Sequence, residues 1–404
     1  MRNFLSVDLN QKRIFGLDLL RFLAIIMVLI SHGRLLLKST LGSSIDFLSL
    51  GGFWGVELFF VLSGFLIGGI LIKIYEPLPL YDFNTIKSFW KRRWFRTLPN
   101  YYLVLILNII LALILGKFVF DDLRYYSFFI FSQNLFTEHP NFFGEAWSLA
   151  VEEWFYLVYP VVLFFTCKLS PVSWNNKRKL LFSIILVFLF SFVLKIIISF
   201  FLNINWDSNI RRMAPLRLDS ILTGVLFSWF NFYYHKLFNK YKTVMLIISI
   251  LFLSISGYNY FKDIVEGGMF GTSFFSKTFY FNITSLGFAF LLPYANYSKS
   301  STPKSIWKKT VTIISLISYS MYLIHYSFIL VFLRKIFTGN SSVIIAISIF
   351  ILYFLITIFF SILLYNFYEK PMTDLRDFET NKKGLLFVKE YLKKAFKTLK
   401  VAFN

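Results

Sequence analysis

What the chain has little of narrows its chemistry first. Its 404 residues include a single cysteine, Cys167, so neither an intramolecular disulfide nor a thiolate metal cluster can be assembled. The four histidines, His32, His139, His235 and His325, are scattered without an H-x-x-x-H pair on one helix, so no metal site is expected. Charge is sparse: Asp, Glu, Lys and Arg make up 16% of residues, against 57% apolar and 21% aromatic. A soluble domain carries only about 45–50% apolar residues, so a single soluble domain is excluded. No large polar insertion interrupts the chain, and no appended soluble catalytic domain is expected. Nor is there a clear inverted repeat of the kind that marks many transporters. The first apolar run contains Asp18 and Arg21 and is not followed by a small-residue cleavage site, which argues against a cleaved signal peptide.

What is present is lipid-compatible length. Apolar segments of about 20 residues, enough to span a bilayer, fall near 17–37, 54–74, 98–120, 147–167, 180–201, 215–234, 244–260, 278–296, 313–333 and 343–366. The pattern predicts an all-α, polytopic membrane protein with about ten transmembrane helices. The 53 Phe suit lipid-facing surfaces, and the 23 Tyr and 9 Trp suit interfacial belts. A net charge of +21 suggests nucleic acid until its distribution is considered. With a cytoplasmic N-terminus, 29 of the 42 Lys and Arg fall inside and 11 outside, while Arg21 and Lys195 lie within spans. That asymmetry predicts cytoplasmic termini and assigns the basic charge to orientation, with no nucleic-acid partner. Residues 1–372 read as the membrane domain and 373–404 as a basic tail. In that tail, Leu385, Val388, Leu392, Phe396, Leu399 and Phe403 share a helical face, with Lys389, Lys393, Lys397 and Lys400 on others. This is the pattern of an amphipathic helix lying on an anionic cytoplasmic leaflet.

Polar residues within the apolar segments mark candidate sites, because ionisable groups are costly in hydrocarbon. Arg21 and His32 are eleven residues apart, which on a helix places them within about 20° of one face and about 16 Å apart along the axis. In KRRWFR, Arg93 and Arg96 share a face beside Lys91 and Arg92. Guanidinium pairs fork onto phosphate oxygens, although a basic cytoplasmic flank has the same composition. Trp90, Trp94 and Phe95 among these cations suit either a stacked base or an interfacial belt. Glu57 falls at a depth comparable to His32, where a carboxylate can orient an imidazole for general-base work. Gly64 and Gly68 form a small-xxx-small pair that reads as helix packing. In EAWSLAVEEWFYLVYP, Ser148 and Glu152 share a face and Glu153 adds a second carboxylate. Either acid can instead pair with Arg211, Arg212 or Arg217. His325, near Ser318, Tyr322 and Ser327, reads as a buried neutral imidazole or as a relay, and Glu369 as a partner for Arg93, Arg96 or Arg21.

The segments LDLLRFLAIIMVLISH, GVELFFVLSGFLIG, KRRWFR, WSLAVEEWFY and SYSMYLIH, closed by YEKP, occur in the order that resembles the acyltransferase-3 family of integral membrane acyltransferases, which modify bacterial surface polysaccharides. The resemblance implies a ten-helix protein of the bacterial plasma membrane. It implies transfer of an acyl group, commonly acetyl, from cytoplasmic acyl-CoA (acetyl-CoA) to a hydroxyl of an extracytoplasmic glycan. Family residues carry over to Arg21 and His32, to Arg93 and Arg96, and to Ser148 and Glu152, while Glu57 stands where the family usually has Asp. On this reading Arg21, Arg93 and Arg96 hold the donor. His32 acts as base, directly or through an acyl-histidine, with Glu57 or Glu152 orienting it and Ser148, Trp147 or a backbone amide stabilising the oxyanion. The lipid bilayer, the donor, the glycan and a second copy of the chain are the candidate partners. A transporter or flippase of a polysaccharide precursor or acyl donor, and a non-catalytic assembly subunit, are the competing classes.

Overall fold

The computed structural model describes residue 7 and residues 13–77, 82–116, 122–202, 204–265, 271–298, 305–337 and 342–377, without the side chains of 263–265. The amphipathic segment expected at 384–403 lies outside the described residues. Within them the chain is helical and contains no strand. Helix α1 (Phe15–Leu41) leads through a 3-10 turn (Gly42–Leu48) into α2 (Ser49–Tyr75). There follow α3 (Phe83–Ile114), α4 (Ala146–Leu169), α5 (Asn176–Phe201), α6 (Leu218–Tyr233) and α7 (Lys242–Val265). The last three long elements are α8 (Phe279–Ala289), α9 (Ile306–Ile324) and α10 (Val343–Leu364). Starts are set by side-chain caps: Asp82, Asn175, Ser305 and Ser342 each accept a hydrogen bond from a backbone N–H in the first turn of the helix that follows. Helix α9 continues through a π-helical turn (His325–Leu330) into Val331–Ile336.

Each of the ten apolar segments overlaps one of these helices. Among the described residues, seven stretches are long and apolar enough to cross a membrane, the first of which, Phe15–Tyr75, includes both α1 and α2. Helices α6, with 16 residues, and α8, with 11, fall short of the usual spanning length. The outer surface is apolar. Phe182, Leu186, Phe190 and Val193 of α5, Ile247 and Leu251 of α7, and Ile344, Ile351 and Leu355 of α10 are exposed. Buried positions, in contrast, include Glu57, Glu153, Lys195, Arg217, Asp219 and His325. Polar groups gathered inside an apolar shell are the arrangement a lipid solvent imposes.

Helix α2 is the centre of the bundle because glycine lets two neighbours reach its backbone. A Cβ on Gly55 would sit 2.6 Å from the Ala24 carbonyl oxygen of α1, and one on Gly51 would sit 2.8 Å from that of Met27. Farther along, Gly64 meets Ile221 and Gly68 meets Val225, a register that rises on both helices, so α2 and α6 run parallel. Gly224 of α6 reciprocates: its Cβ would lie 2.1 Å from the Val61 carbonyl oxygen. The small-residue pair at 64 and 68 is therefore backbone-level packing, as expected. Because backbone cannot yield here, Gly224→Val should cost at least about 1–3 kcal/mol by overpacking. Gly69→Ala, which meets only the Ser228 hydroxyl at 3.1 Å, should cost far less. Thermal melts of the two variants in detergent check this; equal melting points would contradict it.

Candidate active site

A cavity of about 490 Å³ runs between α1, α2, α3, α4, α6 and α9. Along α2 its wall extends from Val56 to Lys73, which at 1.5 Å per residue is about 25 Å. Lys73 lines one end of that wall, and Arg93 and Arg96 of α3 and Arg21 of α1 also line the cavity. Among the described residues neither Arg93 nor Arg96 forms an ion pair; the Arg93 guanidinium lies over the Tyr156 ring at 5.9 Å. Arg21 is only loosely engaged, 3.9 Å from Asp18 and 3.5 Å from the Ser315 hydroxyl. Asp18 is taken by Arg13, which donates at 2.6 and 2.8 Å. The three guanidinium groups thus keep hydrogen-bonding capacity, the condition for binding an anion.

Toward the Val56 end the lining changes to Phe59, Phe60 and Leu149 with the hydroxyls of Ser148 and Tyr322. Those two hydroxyls are 2.6 Å apart. Glu152, one turn beyond Ser148 on α4, accepts a hydrogen bond from Tyr156 at 3.2 Å, and Tyr156 meets the Ser63 hydroxyl at 2.5 Å. The beginning of α4 is held by Asn134, whose amide donates to the Trp147 carbonyl at 2.9 Å and to the Arg212 carbonyl at 2.5 Å. That clamp locates Ser148. Beside the hydroxyl pair stand two imidazoles: His32 Nδ1 is 2.8 Å from His325 Nε2, with the rings edge to edge, 19° from coplanar, at a centroid separation of 5.0 Å. His325 Nδ1 is 2.7 Å from the Tyr322 carbonyl oxygen.

Five of the seven expected site residues, Arg21, Arg93, Arg96, Ser148 and Glu152, line this one cavity. His32 adjoins it through His325 and Tyr322 and does not line it. Glu57 goes elsewhere. Its Oε1 accepts from Arg217, its Oε2 accepts from the Ser285 hydroxyl at 3.0 Å, and it does not orient His32. The group hydrogen-bonded to His32 is an imidazole, not Glu57 or Glu152. Other pairings open from the sequence do not form among the described residues. Arg211 and Arg212 both pair with Asp207, not with Glu152 or Glu153. Glu369 accepts from Ser320 and Asn100, not from an arginine. Sequence reasoning missed the His32–His325 contact, and also the buried Lys195–Asp219 pair at 2.5 Å. A lysine inside an apolar span was the available signal for the latter.

These features define a class: a multi-pass membrane protein whose polar interior encloses an elongated cavity lined by three arginines and by serine and tyrosine hydroxyls, with two imidazoles alongside. The family model described as an acyltransferase domain matches residues 14–366, and the chain belongs to the acyltransferase-3 family. It is similar to an O-acetyltransferase, OatA, of Staphylococcus aureus, with 28% identity over 374 residues, covering 88% of this chain and 57% of that protein. A putative O-acetyltransferase of the same species is 28% identical over 393 residues, covering 90% of this chain and 58% of the relative. The peptidoglycan O-acetyltransferase OatA of Listeria monocytogenes is 32% identical over 191 residues, covering 44% of this chain and 28% of that protein. The chain thus spans less than two thirds of the length of each of these relatives. No solved structure matches it.

The Arg217–Glu57 pair is fully buried, with 0% and 1% side-chain exposure. Losing one partner of such a pair strands a buried charge, at a cost of about 3–5 kcal/mol. Arg217→Met should therefore lower the melting temperature sharply, and the double variant Arg217→Met/Glu57→Gln should recover part of the loss. Melting of both proteins in detergent decides this; a single variant as stable as the parent would show that the pair is not a lock.

Proposed function

We propose that the chain is a membrane O-acetyltransferase that takes an acetyl group from acetyl-CoA on the cytoplasmic side and delivers it to a hydroxyl of a cell-surface glycan outside. The observation that carries this reading is the single cavity lined by Arg21, Arg93, Arg96, Ser148 and Glu152. The excess of Lys and Arg on alternate connections supports ten crossings with cytoplasmic termini. That orientation turns the Lys73 end of the cavity toward the cytoplasm, the side from which α3 brings Arg93 and Arg96 to its wall. The residues there fit a phosphorylated donor: three guanidiniums without a saturating carboxylate, opening onto an elongated and largely apolar wall. The names of the similar proteins support acetyl as the group and a glycan hydroxyl as the acceptor.

Acetyl-CoA, when bound, supplies an activated acyl carbon as a thioester. Arg93, Arg96 and Arg21 hold its phosphates by charge-assisted hydrogen bonds. Phe59, Phe60 and Leu149 exclude water at the other end, so that the acyl group is protected from hydrolysis. His32 removes the proton of the acceptor hydroxyl as the new C–O ester bond forms, and that proton passes to the departing thiolate as the C–S bond breaks. The Ser148 and Tyr322 hydroxyls donate to the carbonyl oxygen as charge develops on it. Reaching His32 requires their mutual hydrogen bond to give way, because the pair stands between the cavity and the imidazoles. Glu152 acts at one remove, holding Tyr156 and through its ring the Arg93 guanidinium.

His32→Ala should remove the acetyl ester from the surface glycan, lowering transfer by about 10²–10⁴-fold. Protein level and polymer export should be unchanged. Mass spectrometry of the glycan measures this, and normal esterification in that variant would refute the mechanism. Arg93→Ala should weaken labelling by a photoreactive CoA analogue about tenfold to a hundredfold, the worth of one charge-assisted hydrogen bond. Undiminished labelling would return Arg93 and Arg96 to a purely topological role.

A further inference from the structure

The hydrogen bonds around His325 determine which nitrogen of His32 is free. A carbonyl oxygen can only accept, so the 2.7 Å contact between His325 Nδ1 and the Tyr322 carbonyl requires the proton on Nδ1. His325 is 0% exposed and has no carboxylate hydrogen-bonded to it among the described residues, and an unpaired buried cation is costly, so the ring is neutral. A neutral imidazole protonated at Nδ1 offers a lone pair at Nε2. The 2.8 Å contact between His325 Nε2 and His32 Nδ1 can then form only if His32 Nδ1 donates. Neutral His32 has one ring proton, and it is now accounted for. Its Nε2 is left bare.

Local structure holds the arrangement in place. His325 is the first residue of the π-helical turn His325–Leu330 in α9, a widened turn of the kind found at functional sites. Immediately after it, Ser327 donates to Glu145 through both its backbone N–H, at 3.3 Å, and its hydroxyl, at 2.6 Å, tying the turn to the start of α4. Tyr326 flanks His32 at a centroid distance of 4.9 Å. The His325 imidazole therefore cannot swing away without breaking its bonds to the Tyr322 carbonyl and to His32.

We propose that His325 is the positioning residue for His32: it fixes the His32 tautomer with Nδ1 protonated and presents Nε2 as the proton acceptor. A neutral acceptor does this without adding a negative charge to an apolar interior, which a carboxylate in that place would do. The tautomer follows from geometry alone; its part in transfer rests on the acetyltransferase reading above.

The test uses the full chain in lipid nanodiscs with ¹⁵N-labelled histidine, the His32 signals being assigned by their loss in His32→Ala. Nitrogen NMR should find His32 protonated at Nδ1 and bare at Nε2, and His325→Leu should release it to a mixture of tautomers. A proton on Nε2 in the parent protein would overturn the proposal. In cells, His325→Leu and His325→Lys should lower surface acetyl ester at least tenfold. His325→Gln, whose amide oxygen can occupy the position of Nε2 as an acceptor, should retain at least ten times more than His325→Leu. Labelling by a photoreactive acetyl-CoA analogue should be equal in all three. Equal ester levels in the Gln and Leu variants, or labelling that falls in step with the ester, would reduce His325 to a packing residue and overturn its role. The NMR and ester readouts fail separately: a surviving ester in His32→Ala removes the acetyltransfer step, whereas the wrong tautomer removes the positioning even where His32 is essential.

Discussion

The constraint on which this architecture depends is that a charge carried into the lipid-facing bundle needs a partner. The Arg217–Glu57 pair shows it in its strictest form, with both side chains fully buried and joined across α2 and the entry to α6. Ser285 of α8 completes the carboxylate's shell, and the guanidinium lies 3.8 Å over the Phe281 ring. Lys195 and Asp219 repeat the arrangement between α5 and α6, with Asn282 of α8 donating to the same carboxylate at 2.8 Å. Such pairs contribute little net energy over apolar packing, but they are expensive to break. They select one arrangement of α2, α5, α6 and α8, and the cavity inherits its shape from that arrangement.

The same accounting separates structure from chemistry. Charges held in buried ion pairs, Glu57 with Arg217 and Lys195 with Asp219, hold helices together. Charges without an ion pair, Arg93 and Arg96, face a cavity, and Arg21 beside them is only loosely held. The carboxylates Glu145, Glu152 and Glu369 are bonded to hydroxyls and an amide, not to cations, so they order the walls without neutralising the arginines. Close glycine packing of α2 against α1 and α6 is what allows one wall of about 25 Å to stay continuous, because neither neighbour is held off by side chains.

Much of the fold was legible because lipid enforces it. A bilayer demands long apolar helices, so the helix positions follow from hydropathy, though α6 and α8 prove shorter than their apolar segments suggested. Local site geometry was legible for the same reason: the eleven-residue step from Arg21 to His32 and the three-residue step from Arg93 to Arg96 are properties of one helix. Contacts between helices were not. Glu57 and Arg217 are 160 residues apart and His32 and His325 are 293 apart, and periodicity says which face a residue occupies without saying which helix lies opposite. The sequence therefore sets Glu57 beside His32, the nearest imidazole, and offers His325 as a buried neutral ring or a relay without linking it to His32. A histidine inside the apolar span that contains SYSMYLIH was the sign available.

The proposed transfer depends on where the acyl donor lies. A structure of the chain in nanodiscs with a non-reactive thioether analogue of acetyl-CoA tests this most directly. The expected result has the phosphates within hydrogen-bonding distance of Arg93 and Arg96 and the acyl carbonyl beyond Ser148 and Tyr322, facing His32. An analogue bound outside this cavity, or inside it with its phosphates at the Val56 end, would contradict the account.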